Sequence, residues 1–406
     1  MTSWLPAPRT DAAIAAVAAA EADRLARPHR YRFDVDAVAA AAARQPDDEQ
    51  RFAACWRDGL EYYLGSAEQD GRLNALGAGM VTSTAVSRLR AGVSMSRFRE
   101  SNPELASTPL TPPIFITGGW RTGTTFLFRL LATDPRLRAP VPIELTSPWR
   151  LAAVDAAERE RRIEASVDAH GLLHALNPEL RAIHDSGGRL PEECGLAMGS
   201  DLRNWAFPAT VRLDSYADWL VEQDLRPSYR NYRQVLEALD AGDGRRWVLK
   251  APPHIAELGS LADAFPGAVV VVLHRDIVET IASGASLFAV FRCTYSDHVD
   301  AVDVGRYQAD QTERWLRRAA EFRSGPAASD VTLVDLQYRD LVGDPVAAIT
   351  RVYEAAGLDA PSDPAGFIDA YHRSQPRHAH GTHRYRASDF GLDEHELRER
   401  FDFLQS

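Results

Sequence analysis

A chain of 406 residues, 45% apolar and 25% charged, has the composition of a globular protein with ample length for one large core or two domains. Its formal charge of −11 argues against broad, sequence-independent nucleic-acid binding, which needs a cationic face. Asp11, Glu21 and Asp23 interrupt the Ala-rich start where a signal peptide would be apolar. The longest strand-like apolar run, Ala268–Leu273, is far short of a membrane span. Cys55, Cys194 and Cys293 are odd in number and have no paired-ligand spacing, so a reducing cytoplasm and no metal are expected.

In chain order, residues 1–101 read as a helical N-terminal region rich in alanine and arginine. Residues 102–113 carry four prolines and read as a linker. Short apolar runs then alternate with helical patterns. Ile114–Thr117 precedes a helix near Thr124–Thr133, and Trp247–Lys250 precedes one near Ile255–Phe265. Ala268–His274 precedes a helix near Ile277–Phe288, and Val331–Leu336 one near Pro345–Ala356. Such alternation indicates an α/β fold, with a P-loop-like parallel sheet flanked by helices behind an N-terminal helical extension. Ligands of such sheets bind beyond the carboxyl ends of the strands, where the turn at Gly118–Thr125, Lys250–His254 and Arg275 fall.

The first of these tips is the most telling. Gly118 and Gly123 have the GxxxxG spacing of a triphosphate-binding loop, but Thr124 stands where that motif needs lysine. A cation, Arg121, lies inside the turn instead. Glycine lets the backbone approach an anion, and the following helix start offers unpaired N–H groups. The chain holds one lysine among its 46 basic residues, Lys250, so a compact ammonium is singled out there. Arg275 ends an apolar strand before a helix, a good station for a phosphate. Two anion sites at neighbouring tips suit a nucleotide with a phosphate at each end.

At these positions the chain resembles the PAPS-dependent sulfotransferases, in particular the bacterial branch and its tyrosylprotein-sulfotransferase-like relatives (PAPS is 3′-phosphoadenosine 5′-phosphosulfate). Arg121-Thr-Gly-Thr-Thr125 is similar to the family's 5′-phosphosulfate loop, and Arg275 with Ser283 to its 3′-phosphate motif. Lys250 is similar to the lysine that faces the sulfuryl group in tyrosylprotein sulfotransferases. The resemblance spans about residues 112–390. It implies a core over 114–360 with a helical acceptor-side insertion at about 150–240. It also implies a tail over 361–406 that closes on the nucleotide through His383 and Tyr385. Gly119, Arg121, Thr122, Gly123, Thr124 and Thr125 would hold the phosphosulfate, with Arg121 and Lys250 stabilising the charge that develops in an in-line transfer, without a metal.

The base that removes the acceptor proton has three candidates: Glu144, placed near the family's glutamate by the resemblance, and His184 and His254. Aromatics at Trp205, Phe207, Tyr216, Trp219, Tyr229 and Tyr232 suggest an apolar or phenolic small-molecule acceptor bearing a hydroxyl or amine. A homo-oligomer is compatible with the sequence. Two other readings fit part of the pattern: a P-loop-like small-molecule kinase, which would need Mg²⁺ and a lysine after Gly123, and a non-catalytic nucleotide-binding protein.

Overall fold

Five short runs, all but the second rich in β-branched or aromatic residues, form the strands: β1 (Ile114–Gly118), β2 (Leu137–Arg138), β3 (Arg246–Lys250), β4 (Val269–His274) and β5 (Thr332–Gln337). The computed structural model describes residues 4–105, 109–167, 171–240, 244–375 and 384–404. All pairings are parallel, in the order β2-β3-β1-β4-β5. Alternation along β1 sends Ile114 and Ile116 to one face, where they pack with Val248, Val269 and Val271. Phe115 goes to the other, with Leu249, Val270 and Val272. Both faces are therefore covered, as a purely parallel sheet requires. Each fully buried Ile, Val or Phe contributes about 1.5–3 kcal/mol of transfer free energy.

The helices Thr124–Leu131, Pro345–Ala355 and Pro364–Ser374 cover the first face. The second is shared by the insertion and by the N-terminal helices, since Leu60, Tyr63, Val81 and Leu89 join the core that holds Phe115 and Leu249. The 27-residue helix Ala75–Ser101 runs through this layer. The strand boundaries match the sequence-based expectations to within one residue, except for the two-residue β2, too short to give a periodic signal. The helix Ile277–Tyr295 is by length and composition apolar enough to cross a membrane, with 83% of its most apolar window buried inside the fold. Two interrupting prolines, Pro252 and Pro253, make the segment after β3 begin as a 3₁₀ helix, Pro252–Glu257, before Leu258–Ala264 becomes α-helical.

The order places β1 between β3 and β4, so the chain leaves β1 at the point where successive connections diverge to opposite sides. Open α/β sheets form their binding crevice at such a switch point. Ile116 lies beside Lys250 on one side and Val271 on the other, which brings the tips of all three strands together.

Candidate active site

The turn after β1 is shaped by close approach. Gly118 has φ of 151°, and a Cβ there would lie 2.4 Å from the carbonyl oxygen of Leu273. Gly123 (φ 93°) starts the helix Thr124–Leu131, and a Cβ on it would meet the Tyr338 ring at 2.8 Å. Between them Arg121 takes a left-handed φ of 63°, a conformation costing a non-glycine residue roughly 1–2 kcal/mol. Strain of this kind is retained where the surroundings dictate it. Here the Arg121 carbonyl accepts a hydrogen bond from Arg275 Nη1 at 3.0 Å, and its Nη1 donates to the Ile183 carbonyl at 2.5 Å.

Arg121, Gly123, Thr124, Thr125, Arg275 and Tyr338 line one cleft of about 630 Å³. The Arg275 guanidinium lies 4.6 Å from the centre of the Tyr338 ring, and its Nε donates to Glu279 at 2.7 Å. Burial lowers the pKa of Arg121; Tyr385 opposes that, and the neighbouring Arg275 adds to it. Two guanidiniums that repel each other across a cleft at a helix N-terminus make a site that favours an anion.

Lys250, 2% exposed, sits beneath this helix start. Its Nζ donates to Thr125 Oγ1 at 3.2 Å and pairs with Glu193. Burial would raise the Glu193 pKa, but Lys250 and His184 outweigh it and hold the carboxylate below its ordinary range. Glu193 was not foreseen. It follows Pro191-Glu192 in an irregular stretch before the 3₁₀ turn Cys194–Leu196, where no periodicity marks one side of the chain. His184 lines the same cleft beside Phe291, with Nε2 3.9 Å from Glu192 Oε1. Burial depresses its pKa below the ordinary 6.5, although Glu192 and Glu193 pull the other way.

Other candidates lie elsewhere. Glu144 does not line the cleft. It is 3% exposed, pairs with Arg159 and, at 3.0 Å, with Arg138, and accepts from the Val141 N–H at 2.9 Å. The resemblance put it at the reaction centre; the arginines and the cap of the helix Pro142–Thr146 take up both its oxygens. His254 is likewise displaced. The prolines turn it under β1, where Tyr229 Oη lies 2.7 Å from Nδ1 and Phe115 packs edge-on. Burial lowers its pKa to about 3, and its Nε2 is enclosed without a partner. Ser283 is buried in the helix Ile277–Tyr295 and is not part of the cleft wall. Gly119 and Thr122 form the turn itself, Thr122 Oγ1 donating to the Gly119 carbonyl at 2.9 Å. Tyr385 acts on Arg121 electrostatically and lines a neighbouring depression with Glu279. His383 lies outside the described residues.

Of the six aromatics singled out in the insertion, Phe207 lines the cleft, Trp205, Tyr216, Tyr229 and Tyr232 are buried in the core, and half-buried Trp219 stacks on Tyr62 away from it. The apolar wall is completed by Leu173, Leu196, Leu287 and Phe291, and by Met80 from the N-terminal helix. No group of three or more His, Cys, Asp or Glu side chains placed for a metal occurs among the described residues.

Comparison with known proteins bears on the family and the fold. A model described as the sulfotransferase family matches residues 112–362. Omega-hydroxy-beta-dihydromenaquinone-9 sulfotransferases of Mycobacterium bovis and Mycobacterium tuberculosis are 26% identical over 275 residues, covering 61% of this chain and 63% of their own length. The chain therefore matches less than two thirds of these curated relatives. The crystal structure of sulfotransferase STF1 from Mycobacterium tuberculosis superposes with a TM-score of 0.75 at 28% identity, covering 91% of this chain and 98% of that one. That of sulfotransferase STF9 from Mycobacterium avium gives 0.77 at 21% identity, with 91% and 95% covered, a likeness of fold.

Proposed function

The chain belongs to the sulfotransferase family, and from that premise we propose that it moves a sulfuryl group from PAPS to a hydroxyl (or amine) of a small, largely apolar acceptor. The observation that carries this reading is the meeting, in one cleft, of the helix start at Thr124–Thr125 with the cations Arg121 and Arg275, while Lys250, buried behind the cleft wall, reaches Thr125 Oγ1. The turn at Gly123 suits a phosphate-like group, because its φ of 93° and a Cβ that would press on the Tyr338 ring at 2.8 Å both demand glycine, which leaves the helix-start N–H groups uncovered. When bound, PAPS supplies the sulfuryl group and carries away the negative charge on 3′,5′-ADP.

The chain's own residues would do the rest. The N–H groups of the helix start and Thr125 orient the 5′-phosphosulfate, and Arg275 takes the 3′-phosphate. Lys250 Nζ, held by Thr125 and Glu193, and Arg121 stabilise charge that grows on the bridging oxygen and the equatorial sulfuryl oxygens. Fixed cations in a water-poor site need no reorganisation as the reaction proceeds. An imidazole nitrogen of His184 receives the acceptor proton. A neutral imidazole is needed for that, and burial keeps His184 neutral down to a pH below 6.5. The three unpaired cysteines suit a reducing cytoplasm.

The sign of the pH dependence follows. The acid limb of kcat/KM should fall below pH 6.5, as protonation removes the base. His184→Gln should abolish that limb and lower kcat by roughly 10²–10⁴-fold. Glu144→Gln should instead lower thermal stability, because Arg138 and Arg159 lose their counter-charge, and leave the pH limb in place. A lost limb in Glu144→Gln with an intact one in His184→Gln would reverse the assignment.

The reading as a whole is tested by calorimetry. Tight binding of 3′,5′-ADP, with ATP and Mg²⁺ far weaker, is expected. The opposite preference would favour a small-molecule kinase. Nucleotide binding that persists with no transfer to any acceptor would favour a non-catalytic role.

A further inference from the structure

The cleft has a third cation whose position the transfer chemistry does not explain. Arg88 comes from the N-terminal helix Ala75–Ser101 and lines the apolar wall beside Leu196 and Phe207. One N–H of its guanidinium is placed on the Leu196 carbonyl, and the charge lies 5.8 Å from the centre of the Phe207 ring. Among the described residues it forms no ion pair with a carboxylate. Burial lowers its pKa to about 10, with Tyr63 opposing.

Arg292 shows how the same fold treats a purely structural buried arginine. Its Nε and Nη2 donate to the Pro208 carbonyl at 3.2 and 2.8 Å, and Phe288 and Tyr307 lie against it at 5.5 and 4.8 Å. It is sealed in the core and does not line the cleft. Arg88 has one carbonyl and one distant ring, and it faces the space an acceptor would fill. A guanidinium offers five N–H donors, and a desolvated cation without a counter-ion is costly. An acceptor that brings an anionic oxygen to this point removes that cost.

We infer that the acceptor is amphipathic: an apolar body lies along Leu196, Phe207 and Phe291, and an oxyanion such as a carboxylate meets Arg88. This rests on the sulfuryl-transfer reading of the same cleft and narrows its substrate class. It assigns Arg88 as a specificity-determining residue that binds the acceptor without touching the reacting atoms. The N-terminal helical region thereby supplies part of the acceptor site.

The test is a binding comparison on the full chain saturated with 3′,5′-ADP. The probes are 12-hydroxydodecanoate and its methyl ester, which differ in charge at the end remote from the hydroxyl. The wild type should bind the acid more tightly than the ester by roughly ten- to a hundredfold, as a charge-assisted bidentate contact would give. Arg88→Met should bring that ratio close to one, and Arg88→Lys should restore part of it. Equal affinities for acid and ester in the wild type would overturn the inference without any variant. So would an acid preference that survives in Arg88→Met. If 3′,5′-ADP binds while the acid preference is absent, the inference about Arg88 falls alone. If 3′,5′-ADP does not bind, the transfer reading falls and takes this one with it.

Discussion

Replacing Lys250 with methionine should lower kcat by about 10²–10³-fold, the range seen when one pre-organised charge stabiliser is removed. Affinity for 3′,5′-ADP should change only a few-fold, because the lysine's charge matters most as the bridging oxygen becomes anionic. The structure adds a second expected effect. Lys250 is 2% exposed and paired with Glu193, so the variant leaves a largely buried carboxylate without its cation. Removing one member of a buried pair costs about 3–5 kcal/mol. In Lys250→Met the Glu193 pKa, now held down by Lys250 first among its charged neighbours, should rise. The double variant Lys250→Met/Glu193→Gln separates the two effects. It should recover most of the lost stability in a denaturant titration and none of the lost turnover. Recovery of turnover in the double variant would mean that the single variant was merely destabilised, and that Lys250 is structural.

Arg275→Ala is expected to act on the opposite parameter. Losing a charge-assisted, bidentate phosphate contact should raise the apparent constant for PAPS by roughly thirty- to a hundredfold, with kcat changed far less. The residue also donates to the Arg121 carbonyl at 3.0 Å and lies against Tyr338. Its loss therefore loosens the strained turn as well. Nucleotide selectivity separates the two roles. If Arg275 reads the 3′-phosphate, wild-type preference for 3′,5′-ADP over 5′-AMP should collapse in the variant, while 5′-AMP affinity barely moves. An equal loss for both nucleotides would make Arg275 a support for the loop and nothing more.

These residues were legible for a physical reason. A turn in which a Cβ would lie 2.4 Å from a neighbouring strand's carbonyl oxygen admits only glycine, and an apolar run buried on both faces must end in something polar at its tip. Gly118, Gly123, Lys250 and Arg275 all follow from those two constraints, and so do the four longer strands. The three candidate bases could not be told apart in the same way. Glu144 has suitable chemistry and chain position, but the counter-charge from Arg159 on a later helix, and from Arg138 on the edge strand, is visible only in three dimensions. His254 follows Lys250 by about one turn, yet the two prolines bend the chain so that it points under the sheet. Ser283 matched a motif by spacing and is buried within its helix. Glu193 and Arg88 went unseen because their segments carry no turn, strand or motif signal that distinguishes one charged residue from the next. The short helices of residues 150–240 owe their places to tertiary packing, which local sequence does not encode strongly.

The central claim is that two strand tips, with Arg121 and Arg275, grip opposite ends of one nucleotide in a single cleft. A crystal structure of the complex with 3′,5′-ADP tests it most directly. The 5′-phosphate should accept from the backbone N–H groups of Gly123–Thr125 with Lys250 Nζ close by, and the 3′-phosphate should meet the Arg275 guanidinium. A nucleotide bound elsewhere, or one whose 3′-phosphate lies away from Arg275 while the 5′ end occupies the loop, would contradict the account.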